Sequence, residues 1–125
     1  MIEAENLAKR FGSVVAVNDI SFQISPGEVV GFLGANGAGK STTMRLLTGY
    51  LKADAGTARI GGHDIKRETH AAQSKIGYLP EAASGFPQLT VGEFLEFCGE
   101  ARGIWGKDLI KAIDRAAARI ELRPA

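Results

Sequence analysis

The sequence predicts an α/β fold in which antiparallel N-terminal strands and parallel core strands form one mixed sheet, followed by the start of a helical region. Three observations predict it. Ile20, Phe22 and Ile24 alternate with Ser21, Gln23 and Ser25, a period of two that marks a strand with one wet face, as in an antiparallel sheet. Val29-Val30-Gly31-Phe32-Leu33 is apolar without alternation, as expected of a strand covered on both faces in a parallel sheet. Beyond Pro87 the apolar spacing becomes that of helices.

Each element follows from local residue choice. Pro26-Gly27 supplies a turn between the first two strands. After the apolar run comes a glycine-rich octet, then Met44, Leu47, Thr48 and Leu51 on one helical face, with Gly49 near its end. Thr57-Ala58-Arg59-Ile60 before Gly61-Gly62 reads as strand then turn. Ile76-Gly77-Tyr78-Leu79 is a second short buried run, and a loop from Pro80 to Pro87 follows. Thr90 and Glu93 have capping-box spacing, and Val91, Phe94, Leu95 and Cys98 form an i, i+3, i+4, i+7 stripe ending near Gly103. Asp108 is the expected cap of a second helix carrying Ile110, Ile113, Ala117 and Ile120 on one face. The expected division is 1–86, a core that carries the glycine-rich octet, and 87–125, the beginning of a helical region.

The octet Gly34-Ala35-Asn36-Gly37-Ala38-Gly39-Lys40-Ser41 fits G-x-x-x-x-G-K-[ST], the phosphate-binding P-loop. It lies between an apolar run and a helical segment, the context that gives the pattern meaning. Little side-chain bulk lets successive backbone N–H groups point at phosphate oxygens. Gly34, Gly37 and Gly39 are expected to allow positive φ and close approach. Lys40 can place its ammonium near the β/γ-phosphates, and the Ser41 hydroxyl can ligate Mg²⁺. The bland reading, a glycine turn with an incidental lysine, needs four fixed residue types to coincide in the right context.

Composition narrows the rest. A formal charge of +1 offers no basic field for nucleic acid. One cysteine, Cys98, excludes an internal disulfide and suits a reducing compartment. No signal peptide is visible, and no apolar stretch nears the ~20 residues of a membrane span. His63 and His70 are the only histidines, too few for a metal cluster, and His63 reads as a surface residue. Cys98 reads as a small core hydrophobe, Trp105 as packing, and Glu93, Glu96 and Glu100 as a solvated face. No Asn-Lys-x-Asp guanine reader follows Asn6, Asn18 or Asn36, which argues against a GTPase.

Several motifs together resemble the nucleotide-binding subunit of ABC transporters. The loop wording through Thr42 is similar to that family's, as are Lys9-Arg10-Phe11-Gly12 with Ala16-Val17 and Ile20-Ser21-Phe22. Ile76 to Glu81 resembles the segment leading into the Q-loop, and Thr90-Val91-x-Glu93 the start of the helical subdomain. The resemblance implies a P-loop NTPase fold, ATP and Mg²⁺ as cofactors, and adenine stacking on Phe11, where a flat ring face suffices. It implies nucleotide contacts from Phe11 and from residues 34 to 42. Lys40 and Glu81 take catalytic roles, and Ser41 and Glu81 become Mg²⁺ ligands. It also implies a membrane permease partner, a second nucleotide-binding subunit in a dimer, and a cytoplasmic place on the inner membrane face. Nucleic acid is not an expected partner.

Two departures from the family pattern matter. The Q-loop position normally holds Gln, and here it is Glu81. A carboxylate offers an oxygen to Mg²⁺ but cannot donate as an amide does. Tyr78-Leu79-Pro80-Glu81 resembles the wording of drug-efflux and gliding-motility exporters, which points to export. Second, no Ser-Gly-Gly signature and no apolar run closed by Asp-Glu occurs in the 125 residues. The chain therefore reads as the N-terminal half of an ATP-binding subunit, an incomplete domain. The alternatives are a nucleotide-binding remnant without turnover and a non-transport ABC ATPase.

Overall fold

A computed structural model describes residues 1–82 and 85–122. Residues 83–84 of the expected 80–87 loop, and 123–125 at the end of the expected helical region, lie outside the described residues. The chain divides into two compact units, Met1–Tyr78 and Leu79–Ala125, upstream of the 86/87 boundary expected from the sequence.

The first unit is built on strands β1 (Ile2–Phe11), β2 (Val14–Ile24), β3 (Ala55–Ile60) and β4 (His63–Asp64), in the spatial order β2-β1-β3-β4 and antiparallel throughout. The alternation of Ile20, Phe22 and Ile24 is realised in β2, where those three are half-buried between exposed neighbours. Long ladders of this kind need relief from twist, and β1 shifts register between Ala4 and Leu7. There Asn6 and Asp19 both take positive φ (49° and 52°), and the Asn6 amide donates to Asp19 at 2.7 Å. Asn and Asp tolerate this left-handed backbone better than other side chains, so the irregularity sits where the sequence can hold it.

Helix α1 (Lys40–Leu47) covers one face of the sheet. Its core contribution is Thr43, Leu46 and Leu47, packed with Ala4, Leu7, Val17 and Ala58. Of the expected face, Leu47 and Thr48 are buried and Leu51 packs against the core, while Met44 is exposed and Thr43 and Leu46 are buried as well. Thr43, wholly buried, donates its hydroxyl to the Gly39 carbonyl at 2.8 Å, which satisfies it inside the core. The short helix α2 (Thr69–Gln73) is tied to the end of α1 by Gln73 Nε2, which donates to the Thr48 carbonyl at 3.0 Å.

Two expected parallel strands are not formed. Val29–Leu33 has no strand structure, with Val29 fully exposed and Leu33 at 95%. Ile76–Leu79 is likewise irregular. An apolar run expresses a demand for burial, but a strand also needs a ladder partner. Among the described residues no strand lies beside either run. The parallel part of the expected sheet is therefore absent from the described residues.

The second unit is a helical hairpin of α3 (Val91–Ala101) and α4 (Gly106–Arg119). Gly99 sits where α4 comes closest; a Cβ there would lie 2.2 Å from the Leu109 side chain. Phe86 packs edge-on against Phe97, with ring centroids 5.6 Å apart. Asp108 lies in the first turn of α4 and does not cap it; Trp105 holds the cap position and is exposed, not packed. Of the expected α4 face, Ile113 and Ala117 are half-buried and Ile110 and Ile120 exposed, and Leu109 is buried as well. Cys98 is half-buried on its stripe.

The capping box at α3 is complete. Thr90 Oγ1 accepts from the Glu93 amide at 3.2 Å, and Glu93 Oε2 accepts from the Thr90 amide at 2.7 Å. Glu93 is thus engaged and not merely solvated. The Thr90 amide, then its hydroxyl, holds the Glu93 carboxyl below its ordinary value of 4.5. A depressed folded-state pKa stabilises above the unfolded value and loses that effect as pH falls through the folded one. Helicity of the full chain should therefore fall in acid below about pH 4.5, and Glu93→Gln should flatten that part of the profile. Thr90→Ala should lower stability by about 1 kcal/mol, read as a shift in the urea midpoint.

Candidate functional site

The glycine-rich loop connects the exposed run 29–33 to α1. Gly37 and Gly39 carry positive φ (83° and 92°), as expected of them; Gly34 does not, and its place is explained by crowding instead. A Cβ on Gly34 would stand 3.2 Å from that of Ala38 and 3.7 Å from the Lys40 stem. Gly39 is the tightest point. A Cβ there would lie 2.2 Å from the Ala16 carbonyl oxygen of β2, so the loop is seated against the sheet by the absence of a side chain. Ala38 N–H closes the tip on the Ala35 carbonyl at 3.1 Å.

Lys40 turns back into this loop. Its ammonium donates to the Gly34 carbonyl and, at 3.1 Å, to that of Ala35. The cation therefore already stands among the loop's backbone groups. The first amides of α1 have no intrahelical acceptor, the helix has no side-chain cap, and its first turn has no acidic residue. An uncapped helix N-terminus with an ammonium beside it favours a polyanion. Ser41 is exposed and Thr42 half-buried at this end, and Asn36 is exposed at the tip. The residues fit a polyphosphate: two left-handed glycines, a close-packed third and a cation placed within the loop.

Phe11 ends β1 with 48% of its surface exposed. Lys9 Nζ lies 5.4 Å from its ring centroid and 3.4 Å from Asp54 Oδ1. Asp54 Oδ2 accepts from the Arg10 amide at 2.8 Å, and that bond above all, aided by Lys9, holds the Asp54 carboxyl below the usual range against the opposing effect of burial. Lys9 and Asp54 were not among the residues the sequence singled out as functional. They lie far apart in the chain, and only the β1/β3 pairing brings them together. Glu81 is exposed in the second unit. His63 is half-buried, with Nδ1 3.2 Å from Glu68 Oε1, not free at the surface. No group of three or more His, Cys, Asp or Glu able to hold a metal occurs among the described residues.

Comparison with known proteins agrees with this geometry. The family model for ABC transporters matches residues 17–123. The linearmycin resistance ATP-binding protein LnrL of Bacillus subtilis is 42% identical over 104 residues, covering 83% of this chain and 33% of LnrL. A probable multidrug ABC transporter ATP-binding protein, YbhF of Escherichia coli, is 35% identical over 98% of this chain and 21% of its own length. Among solved structures, an ATP-binding subunit of an ABC transporter superposes with a TM-score of 0.86 at 25% identity, covering 97% of this chain and 50% of that one. The chain thus spans a third or less of these two curated relatives. With the glycine loop, the lysine and the helix start all falling inside the matched region, the chain belongs to the ABC transporter family.

Proposed function

We propose that this chain forms the ATP-binding portion of an ABC ATPase subunit that powers export. The observation that carries the reading is the loop itself. Gly37 and Gly39 take the backbone a phosphate cradle needs, and the Lys40 ammonium donates to the Gly34 and Ala35 carbonyls of the loop. The polyphosphate binds to the first amides of α1 and to Lys40, whose carbonyl partners are exchanged for phosphate oxygens. Phe11 stacks on adenine. Ser41 supplies a hydroxyl oxygen to Mg²⁺, and the family pattern assigns Glu81 a second oxygen there. Mg²⁺, when bound, neutralises charge between the β- and γ-phosphates.

Export is supported by the names of the relatives, which include a resistance protein and a multidrug transporter protein, and by the Tyr78-Leu79-Pro80-Glu81 wording. In that setting the chain works on the cytoplasmic face beside a membrane permease and pairs with a second nucleotide-binding subunit. No helix of the described residues is long and apolar enough to cross a membrane.

Binding and turnover separate in the test. Titration of the purified chain with a fluorescent ATP analogue should saturate and depend on Mg²⁺, and ATP should displace the analogue more effectively than GTP. Hydrolysis by these 125 residues alone should be slower by a factor of ~10² to 10⁴ than that of a cassette with its catalytic carboxylate. Equal displacement by GTP would defeat the adenine assignment. Ordinary turnover would defeat the division of labour.

A further inference from the structure

We infer that Lys9 and Asp54 form a clamp that holds the Phe11 ring as a prepared adenine platform, which makes both of them positioning residues. The inference rests on the proposal that Phe11 stacks on adenine.

The clamp begins with a strand that loses its neighbour. β1 pairs with β3 only as far as Ala8↔Ala55, while its pairing with β2 runs on to Phe11↔Val14. Past Ala8, the β3 side of β1 is finished by one residue. The Asp54 amide donates to the Ala8 carbonyl at 2.9 Å, and Asp54 Oδ2 accepts from the Arg10 amide at 2.8 Å. A carboxylate thus replaces the strand partner that β3 no longer provides. Its second oxygen, Oδ1, holds the Lys9 ammonium at 3.4 Å.

That grip determines where the ammonium stands. The Lys9 side chain is only 17% exposed although it ends in a charge, and its ammonium is 5.4 Å from the Phe11 centroid, within cation–π range. The ring is therefore held on the side of the ammonium, while nearly half of the residue stays open to a stacking partner. An unheld phenylalanine must give up rotamer freedom when a base stacks on it; a held one has already done so. The clamp acts on the base and leaves the phosphates alone, because its contacts are to β1 and not to the glycine loop.

The experiment measures affinity of the full 125-residue chain for ATP and for inorganic tripolyphosphate, which has no base. Four variants are compared: Phe11→Ala, Lys9→Met, Asp54→Asn and Lys9→Arg. Phe11→Ala should weaken ATP about fivefold or more. Lys9→Met keeps the apolar stem, and Asp54→Asn keeps an acceptor for the Arg10 amide. Each should weaken ATP by roughly two- to fivefold. Lys9→Arg, which preserves the cation, should restore ATP affinity. Tripolyphosphate should bind all four as it binds the parent. If Phe11→Ala weakens ATP while Lys9→Met and Asp54→Asn do not, the clamp is refuted and stacking stands. If Phe11→Ala has no effect on ATP, stacking fails and the clamp with it. A parallel loss of tripolyphosphate in the Lys9 or Asp54 variants also overturns the inference, because the pair then acts on the fold or on the phosphates.

Discussion

Lys40→Ala should weaken ATP binding by roughly a hundredfold, the effect of removing one partner of a charge-assisted contact worth a few kcal/mol. Circular dichroism and the unfolding midpoint should hardly change. The ammonium's partners are two carbonyls of an exposed loop, so its removal leaves no buried group unpaired. The loss is therefore specific to the anion. The measurement is equilibrium titration, paired with urea unfolding of the same samples. ATP affinity within a factor of about three of the parent would contradict the placement of this lysine at the phosphates, since even a weak contact to a charged group contributes more.

Gly39→Ala is the largest structural effect expected. Two penalties coincide at this residue. A φ of 92° places an alanine in left-handed backbone, and its Cβ would meet the Ala16 carbonyl oxygen at 2.2 Å. The obstacle is backbone, which cannot rotate away, so either α1 or β2 must shift. The combined cost is about 2–5 kcal/mol, and binding should fail even where the chain stays folded. Gly37→Ala is the matched control, because its φ is 83° but nothing lies within 4 Å of the new Cβ. It should lose only about 1 kcal/mol or slightly more. Similar unfolding midpoints for the two variants would show that close approach to Ala16 is not what seats the loop.

What the sequence made legible was whatever depends on near neighbours. The β2 alternation, the strand before Gly61-Gly62 and the Thr90–Glu93 box all rest on residues within a few positions of each other. The P-loop pattern is equally local: Gly37 and Gly39 take the positive φ expected of them, and Gly34 does not. Errors arose where a distant partner decides. Val29–Leu33 has the composition of a buried strand, yet composition cannot supply the neighbouring strand. At α1, Met44 is exposed and Thr43 is buried with its hydroxyl satisfied by the Gly39 carbonyl, a polar burial that apolar spacing does not announce. At α4, Asp108 looked like a cap because Asp often is one. The chain instead turns at Gly103, with φ of 76°, and starts the helix at Gly106. Lys9 and Phe11 share a strand face by their spacing of two, but Asp54 had no local signal, since in Ala-Asp-Ala-Gly it reads as a turn residue.

The two limbs of the glycine loop are fastened unequally. Downstream, Gly39 is seated on Ala16 and Thr43 is locked into the core. Upstream, 29–33 form no strand, and Phe32 meets Phe22 in a tilted ring contact with centroids 6.0 Å apart. A ligand that draws this limb into place must meet the entropy of fixing it, on the order of 1 kcal/mol per residue. If binding fixes this limb, intrinsic phosphate affinity and observed affinity differ by a conformational factor. Any surface that docks a ladder alongside Val29–Leu33 would tighten ATP binding without contacting a single ligand atom, and nucleotide would tighten that docking by the same ratio.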